Sequence, residues 1–466
     1  MQLGGIFLAL LVCLAVTSSS AGGDSLLSKH PGKARHPEGI IPPLVSPLAL
    51  DERSNALGLF AMEGISYLGS LEHLRGALQK ALVANKLKIG IAGGSVSTGS
   101  GCDVEKSMWF NHMVEILEDY FGSRSEVRME STVDVMLNNI AQGATGPQRV
   151  VYCGAELLRE EVDVIILEYA INDSGSTWSE LLVRQFLLSK KSAVIFLETF
   201  VPANFGSGSA QMYHDALARH YDIPIISARD ALSFKFRKSK ALQDEWFSSD
   251  NHHPSCIGHE YLGGLAARLL VLTLETIPLT KEVSHSKKSK SLGMGDIPML
   301  SSVSHVLETS ASPTCILASE TLLQHASVPW GKSGNSRKPT FDCSSTDDGD
   351  VTLDLNCSNA IHQGKRDFCQ IVIIHTKSWQ PMGDAAVYLG ENAEPSIILH
   401  SFSPEWRENG IEITVQHMEG LDDPALRIRD GSTSLRIHCL GSSLAHKNIT
   451  GFYDRNLFQL HGFVLI

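Results

Sequence analysis

The chain has 466 residues, 43% of them hydrophobic and 19% charged, with a formal net charge of −12. It is too long for one ordinary core and too apolar for a disordered chain, so two globular units are expected. The acidic balance argues against a nucleic-acid surface, which needs clustered Lys and Arg, and the short run Lys287-Lys288-Ser289-Lys290 reads as a solvated linker.

Residues Ile6 to Val16 form an apolar run followed by Ser18-Ser19-Ser20-Ala21. This predicts a signal peptide over 1–21 and a secreted or secretory-pathway location. The absence of Lys and Arg ahead of the run leaves an uncleaved anchor as the alternative. The run is shorter than the roughly 20 residues of a bilayer span, and no later stretch is long enough, so no transmembrane span is expected in the mature chain. Residues 22–85 read as an extended Pro/Gly/Ser-rich lead-in and then two helices, the first carrying Leu57, Leu59, Phe60 and Met62, the second Leu71, Leu74, Leu78 and Leu82.

From Lys88 to Gly99 an apolar run breaks abruptly into glycines and hydroxyls. This predicts a buried strand that delivers Ser95 to a turn. A helix over 104–121 follows, and strands over 127–129, 163–168, 193–198 and 223–226 then alternate with helices over 153–160, 179–188 and 211–220. A helix over 258–274 closes the pattern. Such alternation implies a parallel, right-handed α/β sheet with its site at the carboxyl ends of the strands, and places this unit at 86–277. Residues 278–312, rich in Ser and Lys, read as a linker. Over 313–466 short runs such as 351–353, 371–374, 386–389, 411–415 and 435–437, separated by turn residues, predict a smaller all-β sandwich or jelly-roll-like domain without a catalytic set.

A serine hydroxyl is a poor nucleophile unless a base lies within hydrogen-bond reach and the base is itself oriented. Asp250-Asn251-His252-His253-Pro254 supplies both: His253 as base to Ser95, and Asp250 as its partner. A tetrahedral oxyanion also needs donors in place. The Gly-bearing loop 138–146, with Gly143, and the segment Ala170-Ile171-Asn172-Asp173 offer them alongside Ser95. Competing readings are weaker. Gly94-x-x-x-x-Gly99-Ser100 lacks the Lys of a P-loop, and Asp250, His252 and His253 have no further metal ligands evident nearby, so neither a cofactor nor a metal is expected. His259 is expected to pack or cap the last helix; His112, His214 and His220 read as ordinary helix residues.

Taken in order, Ser95 after a first strand, Gly143, Ile171-Asn172-Asp173 and Asp250-x-x-His253-Pro254 resemble the four blocks of the SGNH hydrolase superfamily, the GDSL-like esterases. The resemblance covers 86–275. It implies a flavodoxin-like three-layer α/β/α sandwich, Ser95, His253 and Asp250 as a catalytic triad, and Ser95, Gly143 and Asn172 as oxyanion donors. Two positions depart: Gly93-Gly94-Ser95 replaces Gly-Asp-Ser, and Ala170 replaces a Gly. The first resembles a secreted eukaryotic branch that carries a β-rich extension. The function expected is a secreted serine esterase acting on an ester of a small acyl group, with an acetylated polysaccharide as candidate substrate. The alternatives are an O-acetyltransferase or a non-catalytic glycan-binding protein on the same fold.

With Cys13 removed, eight cysteines remain: Cys102, Cys153 and Cys256 in the first unit, Cys315, Cys343, Cys357, Cys369 and Cys439 in the second. Both counts are odd, so full pairing requires a bridge between the units. Three glycosylation sequons begin at Asn172, Asn356 and Asn448; the first is expected to be unused, because its amide is needed in the site.

Overall fold

The computed structural model of the chain describes residues 64–128, 132–158, 160–173, 175–202, 209–277 and 300, and beyond these 314–317, 331–335, 338–344, 350–356, 368–378, 383–400, 414–419, 423–428, 432–442 and 457–465. The expected leader, the first expected helix and almost all of the expected linker lie outside the described residues.

The first unit is built on strands β1 (Ile65–Tyr67), β2 (Lys86–Gly93), β3 (Asp134–Asn139), β4 (Val164–Glu168), β5 (Ala193–Glu198) and β6 (Ile225–Ser227). Their order across the sheet is β1-β6-β5-β4-β2-β3. All neighbours run parallel except β1, which lies antiparallel to β6 at the edge. From β2 the chain crosses to β3 on one side and then to β4 on the other. The strand order therefore reverses at β2, and the crevice at its carboxyl end is the natural ligand site of such a sheet.

Helices α1 (Glu72–Ala84), α2 (Trp109–Arg128), α3 (Gln148–Leu158), α4 (Ser176–Val183, continued by a π-helical turn over Arg184–Ser189), α5 (Gln211–Tyr221), α6 (Ala228–Lys238), α7 (Lys240–Trp246) and α8 (Cys256–Glu275) cover both faces. The alternation of side chains along the strands decides which face each residue joins. Val164, Ile166, Ile195 and Leu197 pack with Leu74, Leu78, Trp109, Leu117 and Leu265 of α1, α2 and α8. Ile165, Leu167, Val194 and Phe196 pack with Val150, Leu182 and Leu217 of α3, α4 and α5. This is the three-layer α/β/α arrangement expected from the sequence.

One strand is displaced from its expected place. Residues 127–128 close α2 rather than forming a strand, and the second parallel strand is Asp134–Asn139. The edge strand β1 and helices α6 and α7 were not anticipated.

The second region is antiparallel throughout. One sheet has the order β10-β16-β12-β13, formed by Asp350–Asn356, Ser432–Ser442, Gly383–Leu389 and Ile397–Leu399. The other has the order β14-β11-β17-β9-β8, formed by Thr414–Glu419, Cys369–Ser378, Leu457–Leu465, Lys338–Ser344 and Gly331–Asn335. Strands β7 (Thr314–Leu317) and β15 (Arg427–Ile428) pair with β17 and β11. Val351, Leu353 and Leu355 are buried while Thr352 and Asp354 between them are exposed, the period-two signature of a half-buried strand. Strand β7 also lies against α3 of the first unit.

Candidate active site

Strand β2 ends at Gly93, and Ser95 opens a short 3-10 turn over Val96–Thr98. A Cβ at Gly94 would collide with the Asn172 side chain, so the glycine at this position makes room for that amide beside Ser95. The turn is pinned from below. The Ser97 N–H and hydroxyl both donate to Glu168 Oε2, at 3.2 and 3.0 Å, and Asn139 Nδ2 donates to the Ser97 carbonyl at 2.8 Å. Glu168 is fully buried and also accepts from Thr199 Oγ1 at 2.8 Å. Burial pushes its carboxyl up to about 7, against the opposing effect of these hydrogen bonds.

His253 arrives on a closed loop. The Ser248 N–H donates to the His253 carbonyl, Phe247 and Pro254 form a β-bridge, and Asn251 takes the left-handed conformation at φ 54°, which Asn tolerates better than most residues. Asp250 Oδ1 accepts from Ser248 Oγ at 2.6 Å and from the N–H groups of His252 and His253 at 2.8 and 3.0 Å. Its other oxygen lies 2.6 Å from His253 Nδ1, and His253 Nε2 lies 2.8 Å from Ser95 Oγ. Burial works to raise the Asp250 pKa, but the hydrogen bonds from Ser248 and His253 outweigh it and hold the carboxylate well below its usual range. Both imidazole nitrogens of His253 are thus engaged, one by a carboxylate and one by a hydroxyl.

Gly143, the fourth residue after β3, reaches the same place: a Cβ there would lie 3.8 Å from the Ser95 Cβ. The Asn172 side chain follows β4, where the N–H groups of Asn172 and Asp173 close a turn on the Tyr169 carbonyl. Every sequence-predicted site residue, Ser95, Gly143, Asn172, Asp250 and His253, is therefore placed around one point at the carboxyl end of β2. Neither the Ser95 N–H nor the Asn172 amide has a hydrogen-bond partner among the described residues.

The loops that carry Ser95 and His253 are fastened together. Cys102 and Cys256, the first residue of α8, form a disulfide. A Cβ at Gly101, where φ is +94°, would meet the Pro254 carbonyl and the His253 Cβ. His259 is buried on α8, its Nε2–H donating to the Ser100 carbonyl and its Nδ1 accepting from the Trp109 N–H.

His214 is not the ordinary helix residue its spacing suggested. It is fully buried, with Nδ1 2.8 Å from Glu198 Oε1 and Nε2 3.2 Å from Asp173 Oδ2. Burial opposes its charge, but the two carboxylates prevail and raise its pKa to about 10. Asp173 also accepts from Ser179 Oγ at 2.5 Å, so the residue after Asn172 is held by a buried charged cluster. The available signal was that two buried strands, Val-Ile-Ile-Leu-Glu168 and Val-Ile-Phe-Leu-Glu198, each end in an acid.

No family model matches the chain, and no curated protein matches it. Among solved structures, a two-domain esterase active on acetylated mannans aligns over 87% of this chain and 98% of its own length, at 19% identity and a TM-score of 0.58. The chain has the fold of that two-domain esterase. The α/β unit is less than half of the chain, so the likeness extends through the β region as well. The same esterase co-crystallised with mannopentaose aligns equally, over 87% of this chain and 97% of that one, with 19% identity and a TM-score of 0.58. A more limited likeness is to Axe2, an acetylxylan esterase from Geobacillus stearothermophilus, at 14% identity over 40% of this chain and 94% of that one, with a TM-score of 0.31. The two-domain esterase fold is consistent with the SGNH-type resemblance read from the four sequence blocks.

Proposed function

We propose that the chain is a secreted serine esterase that removes a small acyl group, acetate in the first instance, from a glycan. The observation that carries this reading is the unbroken line from Ser95 Oγ through His253 to Asp250, with contacts of 2.8 and 2.6 Å. Ser95 Oγ attacks the ester carbonyl carbon while His253 Nε2 takes its proton, and Asp250 stabilises the imidazolium and holds Nδ1–H toward itself. The oxyanion forms where the Ser95 N–H, the Gly143 N–H and the Asn172 amide converge. The imidazolium gives the proton to the leaving sugar oxygen, which departs as a free hydroxyl as the C–O bond breaks. Water, deprotonated by the same imidazole, then attacks the acyl-serine; the C–Oγ bond breaks, the imidazolium returns the proton to Ser95 Oγ, and the acid released ionises in solution.

The open edge of the site supports a polymer rather than a buried small ester: the Asp250 side chain is 47% exposed and that of His253 20%. The two-domain esterase of the same fold acts on acetylated mannans, which supports an acetylated glycan here. The test is acetate release from acetylated mannan, together with rates on 4-nitrophenyl esters of increasing acyl length. Activity that is greatest on acetate and absent from Ser95→Ala supports the reading. No hydrolysis of any ester by the folded wild-type protein would refute it.

A further inference from the structure

At the rim of the sheet, beside the loop that carries Gly143, the fold holds a buried cation that no other group answers among the described residues. Arg149 is the second residue of α3 and is only 6% exposed. The other buried charges of this unit have partners. Arg184 donates to Tyr221, Asp163 is paired with Lys80, Glu180 accepts from Tyr221, and His214, Asp173, Glu198 and Glu168 are bound as described. Arg149 has neither a hydrogen bond nor an ion pair among the described residues. Burial pushes its pKa down to about 10, which leaves it charged at neutral pH.

A second group without a partner lies close by. Tyr169, three residues before Asn172, is 2% exposed and makes no side-chain hydrogen bond among the described residues. Arg149 and Tyr169 are near enough for each to perturb the other's ionisation. Both residues keep a small exposed fraction, 6% for Arg149 and 2% for Tyr169. In a helix the Cα–Cβ bonds tilt toward the N-terminus, so the Arg149 side chain leans toward the Gly143–Pro147 loop. The first turn of α3 adds its own partial positive charge there. The nearest acids point elsewhere: Glu168 lies on the opposite face of the sheet with Ser97, and Asp173 is held by Ser179 and His214.

An unpaired buried charge is destabilising, and a ligand of opposite sign offsets that cost. A guanidinium fork with an adjacent phenol fits a planar oxyanion, and a carboxylate can take the fork through both oxygens. We propose that Arg149, with the Tyr169 hydroxyl, forms a subsite for the carboxylate of an acidic sugar, a uronate next to the ester-bearing residue of the glycan. The proposal rests on the esterase reading only for the place of the subsite along the substrate.

Calorimetric titration separates the two. With the full-length Ser95→Ala protein, trigalacturonate binds about ten- to hundredfold more tightly than its methyl ester, the range expected for charge-assisted hydrogen bonds. Arg149→Gln in that background removes the preference, and Arg149→Lys, which keeps the charge but loses the fork, retains part of it. Equal binding of acid and methyl ester overturns the proposal, whether or not the Gln variant folds. Inorganic sulfate binding as tightly as trigalacturonate in an Arg149-dependent way overturns the assignment to a sugar carboxylate. Absence of ester hydrolysis by the wild type would remove the esterase reading and leave the calorimetric result standing.

Discussion

Glu168→Gln tests whether the carboxyl group beneath the turn that carries Ser95 is held as the structure implies. Three donors converge on it, two from Ser97 and one from Thr199. A glutamine offers one acceptor oxygen where the ionised carboxyl offers two, and its NH2 group cannot accept from the Ser97 N–H; each charge-assisted hydrogen bond to the ionised form that is lost is worth about 1.5–3 kcal/mol. The pH dependence gives the sharper test. Burial raises the Glu168 pKa from 4.5 to about 7, so the folded protein holds this proton more tightly than the unfolded chain. Its contribution to stability is full below pH 4.5 and is lost as pH rises toward 7. A shift of that size amounts to roughly 3 kcal/mol. Urea unfolding followed by the fluorescence of the buried Trp109 and Trp246 should therefore show the stability advantage of wild type over Glu168→Gln shrinking by roughly 3 kcal/mol between pH 4.5 and 7.5. Taking the difference between the two proteins cancels groups that titrate alike in both. A difference that stays constant across this range, or grows with pH, would refute a buried carboxyl titrating near neutrality.

Ser95→Ala and His253→Ala should each lower kcat about ten-thousandfold or more with the far-UV circular dichroism unchanged, because the groups act as one unit; full activity in either sinks the proposed roles. Replacing Cys102 and Cys256 by Ser opens a link across 154 residues, for which chain entropy gives a loss of up to about 5 kcal/mol. The thermal midpoint of the α/β unit should fall by roughly 10–20 °C, and an unchanged midpoint would count against the disulfide as a structural fastening. Limited proteolysis should cut within the proposed linker, residues 278–312. Cys153 is itself disulfide-bonded, and Cys102 and Cys256 pair with each other, so its partner lies outside 86–277. The fragments should stay together on non-reducing electrophoresis and separate on reduction; separation without reductant would exclude a bridge between the units. Peptide mapping of active protein should find Asn172 without a glycan, since its side chain fills the space above Gly94.

The site was legible because its residues keep short local signatures: Gly-Gly-Ser after an apolar run, Ile-Asn-Asp after another, and Asp-x-x-His on one loop. The parallel sheet was legible for a related reason, since β4 and β5 are buried on both faces and read as continuous apolar runs. Strand β3 was not, because Asp-Val-Met-Leu-Asn-Asn spends two of its six positions on amides, one donating to the end of α3 at Leu158 and one to the Ser97 turn. Strand β1, at three residues, is too short to show a period. The partners of His214 lie 16, 35 and 41 positions away, so no spacing could have announced them. Arg149 is the extreme case: its interest lies in having no hydrogen bond or ion pair among the described residues, which only three dimensions reveal.

The disulfide between Cys102 and Cys256 also sets an order of events during biosynthesis. The loop bearing Ser95 is made first, and its cysteine must wait for 154 further residues before its partner exists. At ordinary translation speeds that interval is roughly 8–30 s, during which the thiol of Cys102 stands open to any other oxidised partner. Cys153 is the first cysteine to follow it and is therefore the earliest wrong choice. The chain acquires Ser95 early and His253 late, and the bond that brings the two loops together cannot close until both have been made.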